Sequence, residues 1–122
     1  MNTFKQEIQS PETGAHTVRA IYNLGSIQRI PLGEGRAFQV ANTTVAVFRS
    51  RDGEVYATQP DCPHRGGPLV DGLVGPAKVI CPLHNFAFNL ATGQPIENSC
   101  NQLRVYPASL NEAGDILLTI DS

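Results

Sequence analysis

Short apolar runs cut by turn residues leave this chain little room for anything but β structure. Eight runs stand out: Val18–Tyr22, Arg36–Ala41, Thr44–Arg49, Glu54–Thr58, Lys78–Ile80, Asn85–Asn89, Leu103–Tyr106 and Asp115–Ile120. Each is three to six residues long and rich in Val, Ile, Phe, Tyr or Thr, which suit a pleated, half-buried surface. Gly33-Glu34-Gly35, Asp52-Gly53, Asp71-Gly72, Thr92-Gly93 and Ala113-Gly114 separate them. Asp52-Gly53, between two β-rich runs, predicts a hairpin turn. Pro31, Pro76, Pro95 and Pro107 stand at or near run edges, where a missing N–H is tolerated. No window of eleven or more residues carries a 3.6-residue apolar period, and Gly25–Arg29 is the best helical candidate. The pattern predicts an antiparallel sandwich or small barrel.

At 122 residues the chain fits one domain, able to bury a core without disulfides. Residues 1–16 are polar, carry Pro11 and Gly14, and are expected to form a flexible N-terminal arm ahead of a single domain over 17–122. A net charge of -2 argues against a nucleic-acid binder, which would need a basic face. No apolar stretch is long enough to span a membrane. The first sixteen residues contain no apolar core of a signal peptide, so the expected location is cytoplasmic. Three cysteines cannot all pair within one chain, and in the cytoplasm they read as ligands or nucleophiles before disulfides.

Two windows hold two of the three cysteines and two of the three histidines: Cys62-Pro63-His64 and Cys81-Pro82-Leu83-His84. Sixteen residues separate His64 from Cys81. Each window adjoins a β-rich run, so each can be a hairpin tip, and two adjacent tips would aim two thiolates and two imidazoles at one point. Gly66 and Gly67 allow positive φ and close passage of backbone, which also turns N–H groups toward sulfur. Pro63, Pro68 and Pro82 stiffen the tips. Three occupants suit two Cys and two His. Zinc accepts the set, but its structural sites usually pair Cys with Cys and His with His along the chain. Blue copper wants an axial Met, and the single methionine is Met1. A [2Fe-2S] centre with two Cys on one iron and two His on the other asks each loop for one of each, which is the pattern present.

C-x-H, sixteen residues, then C-x-x-H, with Gly66-Gly67-Pro68-Leu69 after the first His, resembles the signature of the Rieske family. The likeness runs from Ile30 to Ile120, about three quarters of the chain, and takes in Asp52-Gly53-Glu54-Val55-Tyr56-Ala57 and Phe86-x-Phe88-x-Leu90-x-Thr92-Gly93. The resemblance implies an all-β, Rieske-type antiparallel β-sandwich with a small cluster-binding subdomain near residues 60–90. It implies a Rieske [2Fe-2S] cluster as cofactor, with Cys62 and Cys81 on one iron and His64 and His84 on the other. With the outer positions filled by protein, such a centre carries one electron and is not catalytic by itself.

The high-potential respiratory subgroup bridges its loops through two extra cysteines; the matching positions here are Gly67 and Leu83. A Ser and a Tyr that donate hydrogen bonds in that subgroup are replaced by Phe86 and Phe88. Fewer donors to sulfur stabilise the added electron less, so the expected potential lies near the low end, about -150 mV. Ile30-Pro31-Leu32-Gly33-Glu34-Gly35-Arg36, the two loops and Leu90-Ala91-Thr92-Gly93-Gln94-Pro95 are similar to the small subunit of assimilatory NAD(P)H-dependent nitrite reductase. That branch implies a large flavin and sirohaem subunit as partner, reducing nitrite to ammonia. The alternative is the Rieske ferredoxin that feeds an aromatic-ring-hydroxylating oxygenase; a second is a zinc-stapled binding module. The chain has no G-x-G-x-x-G fingerprint for binding a dinucleotide itself.

Other residues have plainer readings. Cys100 is expected to be a small buried apolar residue before a redox-sensing thiol. His16 reads as solvated. Arg65 could dock a partner or face water. Phe86 and Phe88 are expected in the core or as a shield for the site. Asp61 and Asp71 flank the first loop, where isolated surface charges usually do little.

Overall fold

A computed structural model of the chain describes residues 4–9, 18–63, 66–83 and 85–121. Among these residues the fold is all-β: twelve strands and two 3-10 turns, with no α-helix. The first sheet contains β1 (Phe4–Gln9), β2 (Val18–Ser26), β11 (Ala108–Leu110) and β12 (Asp115–Asp121), ordered β1-β2-β12-β11. The second contains β3 (Glu34–Val40), β4 (Thr43–Arg49), β5 (Val55–Thr58) and β10 (Val105–Tyr106), ordered β10-β5-β4-β3. The third is built from β6 (Leu73–Gly75), β7 (Lys78–Ile80), β8 (Ala87–Asn89) and β9 (Pro95–Ile96), in chain order. Every pairing is antiparallel.

Strand β4 explains how three sheets share one body. Its run Val45-Ala46-Val47-Phe48 is fully buried, so it reads as continuous apolar sequence and not as an alternation. Successive side chains point to opposite faces. Val45 and Val47 enter a core with Tyr22, Leu24, Phe38, Ile116 and Leu118, between the first two sheets. Ala46 and Phe48 enter a second core with Leu69, Val74, Val79, Phe88 and Leu90, beneath the third sheet. Cys62 and Cys81 belong to that second core.

Ser50 ties the third sheet to the body. It is fully buried, its hydroxyl donates to the Gly75 carbonyl at 3.1 Å, and it accepts from the Ala77 N–H at 2.9 Å. The Asp52-Gly53 turn joins β4 to β5 as expected: Gly53 has φ +87 and its N–H donates to the Ser50 carbonyl. The helical candidate at Gly25–Arg29 is a single 3-10 turn, Ile27–Arg29, with Ser26 accepting from the Gln28 N–H.

The structure corrects the N-terminal expectation. Phe4–Gln9 is not a loose arm but a strand, paired with β2 from Phe4↔Asn23 to Gln9↔Val18. An edge strand is held by backbone hydrogen bonds on one side only and needs no apolar run to announce it. The rest of the expected arm lies outside the described residues. Strands β6, β9 and β11 also lie beyond the eight runs. They are two or three residues long, too short for a period-two pattern to show.

Candidate metal centre

The two Cys/His windows fold into loops with the same closing geometry. The Cys62 N–H donates to the Gly67 carbonyl at 2.8 Å, and the Cys81 N–H to the Phe86 carbonyl at 2.7 Å. Each loop therefore closes on the fifth residue beyond its cysteine. The residue before each closure has positive φ: Gly66 at +73 and Asn85 at +58. Glycine takes that conformation without penalty, and asparagine is among the side chains that tolerate it best. The second loop is the tip of the β7–β8 hairpin, where Ile80 pairs with Ala87. An isolated bridge between Asp61 and Pro68, with the Leu69 N–H donating to the Pro60 carbonyl, pins the base of the first. Gly72 lets the first loop's exit pass tightly beneath β7, since a Cβ there would run into the Ile80 carbonyl oxygen.

These loops bring the cysteines together. Cys62 and Cys81 are both buried in the second core, near enough for each to act on the other. Burial pushes the Cys81 thiol up from its ordinary value. The Leu83 N–H, 3.4 Å from Cys81 Sγ, opposes the rise, while the nearby Cys62 adds to it. A Cβ on Gly67 would stand 3.1 Å from Cys81 Sγ, so the second glycine serves close approach where the first serves positive φ. His64, His84 and Arg65 lie outside the described residues, as does His16.

Around the loops, Phe88 is buried in the second core and Phe86 packs against it, as core or shield residues would. Asp61 and Asp71 are exposed. Cys100 departs from its expected place. It is half-buried, not fully buried, and packs against the core that contains both site cysteines. Burial, then the charge of Cys62, pushes its thiol up. With Pro63, Phe86, Ser99 and Asn101 it lines a cleft of about 360 Å³ between the two loops. No ligand spacing links Cys100 to the other cysteines, so sequence gave no sign of this placement.

The donor set fits a [2Fe-2S] group. One iron of a mixed-ligand cluster needs two thiolates from separate loops, close together and shielded from water. Cys62 and Cys81 meet that requirement, with the Leu83 N–H already directed at one sulfur. Among the described residues no helix is long and apolar enough to cross a membrane.

Comparison with known proteins agrees with this chemistry. Residues 20–107 match the Rieske [2Fe-2S] domain family. Apoptosis-inducing factor 3 of Mus musculus is 35% identical over 57% of this chain, although the match spans only 10% of that protein's length. Ferredoxin CarAc of Metapseudomonas resinovorans is 33% identical over 63% of this chain and 72% of its own. Among solved structures, one described as an NADH-dependent nitrite reductase small subunit, from Mycobacterium tuberculosis, has a TM-score of 0.76 at 25% identity. It covers 84% of this chain and 96% of its own. The ferredoxin of carbazole 1,9a-dioxygenase from Nocardioides aromaticivorans has a TM-score of 0.69 at 27% identity, over 79% and 95% of the two chains.

Proposed function

Because the chain belongs to the Rieske [2Fe-2S] family, we propose that Cys62, His64, Cys81 and His84 hold its cluster and that it serves as the electron-transfer small subunit of an NAD(P)H-dependent nitrite reductase. When bound, the cluster supplies a one-electron carrier. The two cysteines offer their sulfurs from facing loops. The Leu83 N–H steadies the charge on Cys81 Sγ, and the second core keeps water from both. His64 and His84 would supply the other two ligands, and with its ligands all from protein the cluster would pass electrons on without catalysing alone. The subdomain that carries the ligands is the stretch near residues 60–90.

One observation carries the ligand assignment: two cysteines nineteen positions apart in sequence are buried in the same core, each at the start of a loop closed in the same way. Single Cys62→Ala and Cys81→Ala proteins should fail to retain iron and sulfide after anaerobic reconstitution. Either variant holding a full complement would overturn the assignment.

The nitrite reductase role rests on the resemblance of the 30–36 segment and both loops, and on the fold likeness to the mycobacterial small-subunit structure. Its partner would be a large flavin and sirohaem subunit in the cytoplasm. A second reading has its own support, because the carbazole dioxygenase ferredoxin shares the fold at 27% identity. On that reading the chain delivers electrons to an oxygenase through a small transient patch. Purification from the native host separates the two. A stable complex with a sirohaem protein supports the first; reduction of an oxygenase component without such a complex supports the second.

A further inference from the structure

The segment after β9 is built as a strap beside the proposed centre. At Glu97 the chain turns with φ +57. The Asn98 side chain then donates from Nδ2 to the carbonyls of Ala87 and Ile96, each at 3.0 Å. Those two residues face each other across β8 and β9, so Asn98 caps the ladder that ends the third sheet. On its other side Asn98 Oδ1 accepts the Cys100 N–H at 3.0 Å. Beyond the strap, Gln102 Nε2 donates to the Thr92 carbonyl at 2.8 Å, and Leu103 is buried in the second core. Between these anchors Ser99, Cys100 and Asn101 line the cleft together with Pro63 and Phe86, one from each loop.

We infer that Asn98 is a positioning residue that holds the Ser99–Asn101 strap so that Cys100 stays packed on the core containing Cys62 and Cys81, covering the sulfur side of the centre on that flank. This rests on Cys62 and Cys81 being ligands. The argument for an effect on potential is electrostatic. Cys100 packs against the core that holds Cys62 and Cys81, so what fills its position sets part of their surroundings. Water entering there would donate hydrogen bonds to sulfur and stabilise the added electron, raising the midpoint. A strap held by the three hydrogen bonds of the Asn98 side chain, with Gln102 anchoring its far end, keeps the midpoint low and slows loss of iron.

The test compares anaerobically loaded wild type, Asn98→Ala, Asn98→Asp and Asn111→Ala by potentiometric titration and by the rate at which a ferrous chelator bleaches the visible bands. Asn98→Ala should titrate at a higher midpoint and bleach several-fold faster. Asn98→Asp keeps the acceptor for Cys100 but loses both donors, and should fall between Asn98→Ala and wild type. Asn111→Ala removes the bonds from the Ala113 and Asp115 N–H groups at the β11–β12 turn, far along the chain from the strap, and should match wild type in both. A loaded Asn98→Ala protein that matches wild type overturns the inference, as does an equal shift in Asn111→Ala. Should Asn98→Ala hold no cluster, Asn98→Asp decides: a wild-type midpoint and bleaching rate overturn the inference. Wild-type protein that takes up no iron and sulfide overturns the ligand assignment, and this inference with it.

Discussion

Gly67 lies directly against Leu83: a Cβ on the glycine would stand 3.0 Å from both Cγ and Cδ1 of the leucine. The two loops therefore touch where the respiratory subgroup bridges them, and here a leucine side chain fills the gap. Cysteines at both positions should lie within disulfide reach. The double variant Gly67→Cys with Leu83→Cys should lose two reactive thiols on mild oxidation and regain them with reductant. Two thiols that stay free under oxidation would show that the loops stand further apart.

The same crowding governs a single change. Gly67→Ala adds a methyl group against Leu83 and Cys81 Sγ, an overpacking that costs about 1–3 kcal/mol. Thermal unfolding should fall by several degrees, and Leu83→Ala in the same chain should recover part of it. No recovery would place the strain elsewhere.

Phe86 and Phe88 bring no hydroxyl to the site, and the expected midpoint is near the low end of the Rieske range, about -150 mV. Phe86→Ser should raise it by offering a donor beside the second loop. A clearly positive wild-type midpoint, or no rise in the variant, would contradict this reading of the two aromatic positions.

Ser50 is a seam between body and third sheet, satisfying a carbonyl of Gly75 and an N–H of Ala77 at once. Ser50→Ala leaves both without that partner in a buried place and should destabilise the fold by about 1–3 kcal/mol. Denaturant unfolding measures this. A change within error would mean that water takes over both bonds.

The cluster-free chain should weaken in alkali. The Cys81 thiol is raised in the fold, chiefly by burial, so the folded chain binds that proton more tightly than the unfolded one. Its contribution is fully present below the ordinary thiol value of about 8.5 and is lost as pH rises through the raised one. Melting temperatures of wild type and Cys81→Ala should therefore converge above that value. Parallel curves would remove the thiol from the balance. In the loaded protein acid acts oppositely: protonating the imidazoles of His64 and His84 should release iron.

How much of this was legible in the sequence depends on which forces wrote it. Strand β4 was plain because both of its faces are buried, and Lys78–Ile80 was plain because Val79 is buried between Asp-Gly and Cys-Pro punctuation. Phe4–Gln9 was hidden because backbone pairing to an edge leaves no composition signal. The two loops were legible because metal chemistry fixes residue type and spacing together, and Gly66 and Gly67 mark where backbone must bend and pass. Cys100 and Asn98 were not. Their roles arise from tertiary approach of a segment that no spacing rule connects to the loops.

The ligand set is tested most directly by nitrogen hyperfine spectroscopy on the reduced, anaerobically reconstituted protein, alongside iron and sulfide analysis. Two irons, two sulfides and couplings from two distinct imidazole nitrogens per chain are expected, with one coupling absent in His64→Cys and the other in His84→Cys. A colourless protein with one zinc per chain, or a cluster without nitrogen coupling, would contradict it.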